Sequence, residues 1–161
     1  MAESAVLRPF QKHEHNHARC IKEAMSDAEA ACLQLGLRLT KIRREILKLV
    51  WTSHAPMKAY EILEKMQHNN PKTAPPTVYR ALEFLQKAGL VHRLESLNAY
   101  VGCGNPQEPH LGQFLICETC GAVAEINAKK ITSILNEQAA ELGFYTQQQL
   151  VEIKGTCPQC T

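Results

Sequence analysis

Two Cys-x-x-Cys pairs constrain this chain more than any other feature: Cys117-Glu118-Thr119-Cys120 and, almost at the C-terminus, Cys157-Pro158-Gln159-Cys160. A two-residue spacer lets both sulfurs of a pair face one point, and zinc takes four thiolates at about 2.3 Å in a tetrahedron. The pairs lie far apart in sequence, so a shared ion would close a large loop and pin a whole domain. Turn-forming residues surround them: Gly121 after the first, Gly155 before the second and Pro158 inside it. Four thiolates leave no open coordination position, so the set reads as structural. Two disulfides or a redox dithiol are the alternatives. A redox pair normally opens a helix after a strand, whereas Gly121 and a second strand follow the first pair here.

The seven cysteines are an odd number, which fits a closed disulfide framework poorly. With no apolar h-region at the N-terminus, reduced thiols in the cytoplasm are expected. No apolar run is long enough to span a membrane. No nucleophile elbow, Gly-rich phosphate loop or carboxylate dyad is present, so neither an enzyme nor a small-molecule substrate is expected. Charge divides the chain. Residues 1–102 carry 15 Lys and Arg against 10 Asp and Glu, while residues 103–161 carry 3 against 6. A basic first half favours a polyanionic partner, although a charge of this size is also an ordinary solvated face.

Periodicity organises that first half. Residues 1–15 read as a flexible tail. An apolar stripe through Ile21, Met25, Ala28, Cys32 and Leu35 predicts a helix over 16–35 that stops at Gly36. Thr40 is placed to cap a second helix, broken at Pro56, and a third runs over 59–67. Pro75-Pro76 opens a fourth, because proline suits a first helical turn. That helix ends at Gly89. Strands follow at 90–95 and 99–102, turning at Ser96-Leu97-Asn98. Three helices, a turn-linked fourth and a hairpin make a winged helix, and the helix over 76–88 would enter a DNA major groove. Val78, Leu82 and Leu85 would hold it to the core, leaving Thr77, Tyr79 and Arg80 outward. Arg80 suits a guanine edge or a phosphate, and Tyr79 a thymine methyl or a phosphate. Such units also occur as pure packing modules.

Residues 103–112 have hinge chemistry, and residues 113–161 read as strand, thiol turn, strand, helix, last strand over 144–154 and second thiol turn. The fold class expected is α+β: a winged-helix DNA-binding domain over 1–102, then a small α/β dimerisation domain over 113–161 pinned by a four-cysteine zinc site. His92 on the wing, Cys103 and His110 at the hinge ends and Glu125 beyond Cys120 offer a second ligand set. Two anionic and two neutral ligands balance a divalent cation, and their mixed softness suits zinc. Each residue alone also has an ordinary structural explanation. His13, His15 and His17 alternate near the N-terminus, and no metal role is assigned to them.

The run Pro75-Pro76-Thr77-Val78-Tyr79-Arg80-Ala81-Leu82, followed by Phe84-Leu85 and Gly89-Leu90-Val91-His92, resembles the ferric uptake regulator family of metal-sensing transcription factors. So does Phe114-Leu115-Ile116-Cys117-x-x-Cys120-Gly121. The likeness runs from about Ala18 to the end and looks closest to the zinc uptake regulators, which are dimeric, zinc-loaded repressors. It implies structural zinc on Cys117, Cys120, Cys157 and Cys160, and regulatory zinc on His92, Cys103, His110 and Glu125. Two zinc ions per chain, a homodimer built by the C-terminal half and double-stranded operator DNA as partner are thereby expected. The resemblance also implies DNA contacts by Tyr79 and Arg80, and by Tyr60 and Arg38. Thr40-Lys41-Ile42-Arg43 departs from the family's usual Thr-Pro-Gln-Arg. A lone His110, in place of the His-rich run of the iron-sensing branch, argues against an iron or peroxide sensor; an iron-, manganese- or peroxide-sensing regulator of the same family is the alternative reading.

Overall fold

A computed structural model describes residues 5–11 and 16–161. The chain forms two compact units, Gln11–Pro109 and Met1–Phe10 with His110–Thr161. His13 and His15 lie outside the described residues.

The first unit carries four helices, α1 (His17–Gln34), α2 (Lys41–Trp51), α3 (Ala59–Asn69) and α4 (Pro75–Lys87), and a hairpin of β2 (Val91–Leu94) and β3 (Ala99–Gly102). The winged helix expected for this segment is therefore its architecture. Asn16 caps α1 by accepting the Arg19 N–H at 3.1 Å. Gly36 ends it at φ 65°, allowing the Leu37 N–H to reach the Cys32 carbonyl at 2.8 Å. Thr40 occupies the position before α2, but its side chain makes no capping bond. The start of α3 is secured instead by the Glu61 carboxylate, which accepts the Lys58 N–H at 2.7 Å. One core joins the helices: Met25, Ala28 and Cys32 of α1, Ile46, Leu47 and Val50 of α2, Ile62 and Met66 of α3, and Val78, Leu82 and Leu85 of α4. Each large apolar side chain there contributes roughly 1.5–3 kcal/mol by leaving water. The hairpin pairs Val91 with Gly102 and Leu94 with Ala99. Met57 adds a bridge to Tyr100 on its other side.

The second unit is a four-stranded sheet of β1 (Val6–Arg8), β4 (Gly112–Cys117), β5 (Val123–Ile126) and β6 (Leu150–Gly155), in the order β1-β5-β4-β6, with helix α5 (Lys129–Glu141) joining β5 to β6. β4 and β5 are antiparallel, so β5 returns the chain to the end where β4 starts; α5 then carries it past β4, and β6 runs parallel to β4 on its other side. Gln113, buried at 1 % exposure, fixes the start of α5. Its carbonyl oxygen accepts the Ala128 N–H at 2.8 Å and its amide donates to Thr132 Oγ1 at 3.0 Å.

Two expectations change here. The sequence predicts residues 1–15 as a tail of the DNA-binding domain, yet Val6–Arg8 forms β1, paired antiparallel with β5 of the second unit. It predicts residues 144–149 in the last strand, which begins only at Leu150. Phe144 and Tyr145 carry strand propensity but stand exposed, with no ladder to join.

Candidate metal centres and nucleic-acid face

The parallel pairing of β6 along β4 brings the two thiol turns together. Its register runs from Gly112 opposite Leu150 to Cys117 opposite Gly155, so both strands end side by side where their cysteines begin. The first turn is closed by Cys117 N–H to Ala122 O and Gly121 N–H to Cys117 O, both at 2.9 Å, with Gly121 at φ 74°. A side chain at that φ would be strained, so glycine shapes the turn. The second is closed by Cys160 N–H to Cys157 O at 3.0 Å, and Glu118 N–H to Gly155 O at 2.9 Å ties one turn to the other. Cys117, Cys120, Cys157 and Cys160 consequently converge on one point. Cys120 Sγ and Cys157 Sγ stand 3.7 Å apart. A tetrahedron with zinc–sulfur bonds of about 2.3 Å has edges of about 3.8 Å. The donor set and its spacing therefore fit zinc, and that separation is far beyond a disulfide bond of about 2.05 Å.

The electrostatics of the four thiols point the same way. The N–H groups of Cys120 and Cys157 aim at Cys117 Sγ and push its thiol down to about 6. Cys160, crowded by the Cys120 and Cys157 sulfurs, is pushed up to about 12. Cys120 is also raised: the Ala122 N–H favours its thiolate, but the Cys117 thiol and burial outweigh it. Negative charge at one sulfur opposes it at the next, and a divalent cation removes that conflict. Zinc loading at neutral pH is therefore expected to expel the protons held by Cys120 and Cys160. Calorimetry in buffers of different ionisation enthalpy reads that release directly, and zinc affinity should fall as pH falls. Zinc uptake without proton release would contradict this arrangement.

The second ligand set is divided between the units. In the first unit, His92 sits opposite Val101 on the hairpin. Strand alternation puts His92, Val101 and, one step past the end of β3, Cys103 on one face. Cys103 is buried, and its N–H donates to Leu90 O at 3.0 Å. Gly102 beside it is pressed against Trp51 of α2: a Cβ at Gly102 would fall inside the indole ring. Gly102→Ala should thus displace the end of β3 together with Cys103 and destabilise the unit by about 1–3 kcal/mol, as overpacking does. Urea unfolding followed through Trp51, the only tryptophan, measures it.

In the second unit, His110 Nε2 lies 2.6 Å from Glu125 Oε1, with both side chains almost wholly buried. Glu125 is delivered by β5, where it faces Phe114 of β4.

On α4, Tyr79 and Arg80 are exposed and Thr77 is half-buried, while Val78, Ala81, Leu82 and Leu85 face the core. Tyr60 and Arg38 are also exposed. One contributor to this face escaped the sequence reading. The Arg43 guanidinium stacks 3.4 Å above the Phe84 ring and donates to the Arg38 carbonyl at 2.7 Å. It joins the start of α2 to α4 and holds the backbone at Arg38. No pattern in the sequence announces it, because the contact depends on how two helices pack. Thr73 holds the turn before α4: its hydroxyl donates to Asn70 O at 2.8 Å, and its carbonyl accepts from Gln67 at 3.0 Å. His17 opens α1, its ring stacked 4.8 Å from that of His54.

A winged helix followed by a sheet that aligns two thiol turns is also the plan of known proteins. The sequence profile of the ferric uptake regulator family matches residues 34–154. The chain belongs to that family. It is 39% identical to the zinc uptake regulation protein of Escherichia coli (strain K12) over 140 residues, covering 86% of this chain and 82% of that protein. A zinc uptake regulator solved in complex with zinc and DNA superimposes with a TM-score of 0.82 at 38% identity, over 87% of this chain and 94% of that one. Holo XcZur gives 0.80 at 42% identity, over 86% and 96%.

Proposed function

We propose that this chain is a zinc-responsive transcriptional repressor of zinc-uptake genes. It binds double-stranded operator DNA as a homodimer when a regulatory zinc is held by His92, Cys103, His110 and Glu125. The similarity to zinc uptake regulators over most of both chains carries this reading. The donor set supports it: one thiolate, one carboxylate and two imidazoles neutralise a divalent ion, and the thiolate favours zinc over harder metals. His110 and Glu125 need to part by less than about 1 Å to become neighbouring ligands around zinc. His92 and Cys103 come from one unit and His110 and Glu125 from the other. Zinc occupancy would therefore restrict the hinge between them, and a restricted hinge favours one spacing of two winged helices on a palindromic operator. The four-cysteine zinc supplies a permanent frame, giving two ions per chain.

Dimerisation is supported by the second unit's surface. Helix α5 buries no residue completely. Its Ile134 and Leu135, the Leu142, Phe144 and Tyr145 that follow it, and Ile153 of β6 are exposed apolar side chains on one small unit. Such a concentration marks a protein interface, and β6 is an edge strand able to pair with its counterpart in a second copy. No helix among the described residues is long and apolar enough to cross a membrane, and the reduced thiols suit a cytoplasmic regulator.

The test is operator affinity while zinc, ferrous iron and manganese are each titrated into protein carrying only its four-cysteine zinc. Zinc alone should tighten binding at low free concentration; tightening by iron or manganese without zinc would overturn the proposal. On α4, Arg80→Ala should weaken zinc-loaded binding by about 1–3 kcal/mol, roughly five- to 150-fold. A mobility-shift titration at several salt concentrations distinguishes the two roles of Arg80: loss at one base position for a guanine contact, a shallower salt slope for a phosphate contact.

A further inference from the structure

Strand β1 lies outside the family match at residues 34–154, and neither metal centre draws a ligand from it. Its position is specific. Val6 pairs with Ile126, Arg8 pairs with Glu125, and the Asn127 N–H donates to Ala5 O at 2.6 Å. Without β1, β5 would be an open edge of the sheet, and open edges fray and exchange partners. β5 is the strand that carries Glu125.

Arg8 is unusual for so short a strand. It is 5 % exposed, and its Nη2 donates to Val123 O at 3.5 Å across the pair. Arginine is almost never this buried unless charge or hydrogen bonding compensates it. The register shifts between Val6 and Arg8, an irregularity that takes the strand from exposed Val6 to buried Arg8 and sets Arg8 opposite Glu125, itself 0 % exposed.

We propose that β1 is part of the zinc-sensing apparatus: it closes the edge of β5 and sets the Arg8 cation beside Glu125, so that Glu125 and His110 are held ready for the regulatory ion. Arg8 is a positioning residue that takes no place among the ligands. Because β1 stays with the second unit, the DNA-binding unit is a chain insertion tethered at both ends, near Gln11 and near Pro109. This inference rests on the assignment of Glu125 and His110 to the regulatory site.

The experiment uses the full chain carrying its four-cysteine zinc and measures affinity for a second zinc by competition with a chromophoric chelator. Wild type is compared with Arg8→Met, Arg8→Lys, Glu125→Ala and Cys103→Ser. Arg8→Met should weaken the second zinc about tenfold, the lower end of what losing a supporting group costs a metal site. The four-cysteine zinc and the dimer should remain. Arg8→Lys should recover most of the loss, which a purely packing role would not predict. Hydrogen exchange at β5 amides should accelerate in Arg8→Met. If Arg8→Met does not fold, deletion of residues 2–10 removes strand and cation together and should give at least the same loss. Second-zinc affinity within twofold of wild type in Arg8→Met or the deletion, while Glu125→Ala abolishes it, overturns the role of β1 and leaves the site assignment standing. Unchanged affinity in Glu125→Ala and Cys103→Ser overturns the site assignment, and the role of β1 with it.

Discussion

Cys117→Ser should unfold the C-terminal unit and abolish the dimer. Cys117 is buried at the end of β4, and its sulfur accepts the Cys157 N–H at 3.4 Å, so it touches both thiol turns. Structural zinc sites of this kind contribute on the order of 10–16 kcal/mol of apparent binding free energy. A small domain is stable by about 5–15 kcal/mol in total. Losing one of four thiolates therefore removes a quantity comparable to everything that holds the unit together. The unit has little to replace it with, since α5 buries no side chain completely. The measurements are zinc per chain, thermal unfolding by circular dichroism and sedimentation. The winged-helix unit has its own core and should retain helical signal. A dimer of undiminished stability that still holds zinc on the remaining three cysteines would contradict the structural role.

Cys103→Ser should leave a folded dimer that no longer responds to zinc. Serine nearly matches cysteine in size, so the backbone bond to Leu90 and the packing of Gly102 on Trp51 survive. Burying a hydroxyl in place of the thiol costs about 1–3 kcal/mol, less than the unit's stability. The regulatory ion, however, loses its single thiolate. Coupling between an effector and a second ligand is typically worth 1–3 kcal/mol, roughly a five- to 150-fold change in affinity. Operator affinity at saturating zinc should fall by about that factor, to the zinc-free level. One zinc per chain should remain, at the four-cysteine site. Mobility shifts across a range of free zinc, alongside metal content, decide it. An unfolded product would instead make Cys103 a core residue, and an unchanged zinc response would remove it from the ligand set.

The two substitutions separate two metal sites that look alike when cysteines are merely counted. One is all sulfur and lies at the ends of two strands of a single sheet, so an ion held there would act as part of the fold. The other is a mixed set of two imidazoles, a thiolate and a carboxylate, proposed above to hold the regulatory ion.

Much of this was legible in the residues. Helix limits were marked by Gly36, Pro75-Pro76 and Gly89, which act through backbone conformation and need no distant partner. The core of the winged helix followed from helical periodicity, and the four-cysteine set followed from spacing. Contacts between distant residues were different. Arg43 on Phe84 and Trp51 on Gly102 arise from packing angles that no local pattern encodes. The exposed apolar side chains of α5 have the same spacing as core residues, so sequence could not tell a buried stripe from an exposed one.

Thus the sequence alone determined the winged helix, the two close-spaced cysteine pairs and the face that α4 turns outward, since each depends on residues near one another in the chain. Only the tertiary structure decided that Val6–Arg8 belongs to the C-terminal sheet, that Arg8 is buried opposite Glu125, and that β6 runs parallel to β4 and so aligns the two thiol turns. A strand of three residues has no periodicity to read, and its place is set by an unpaired edge more than a hundred residues away.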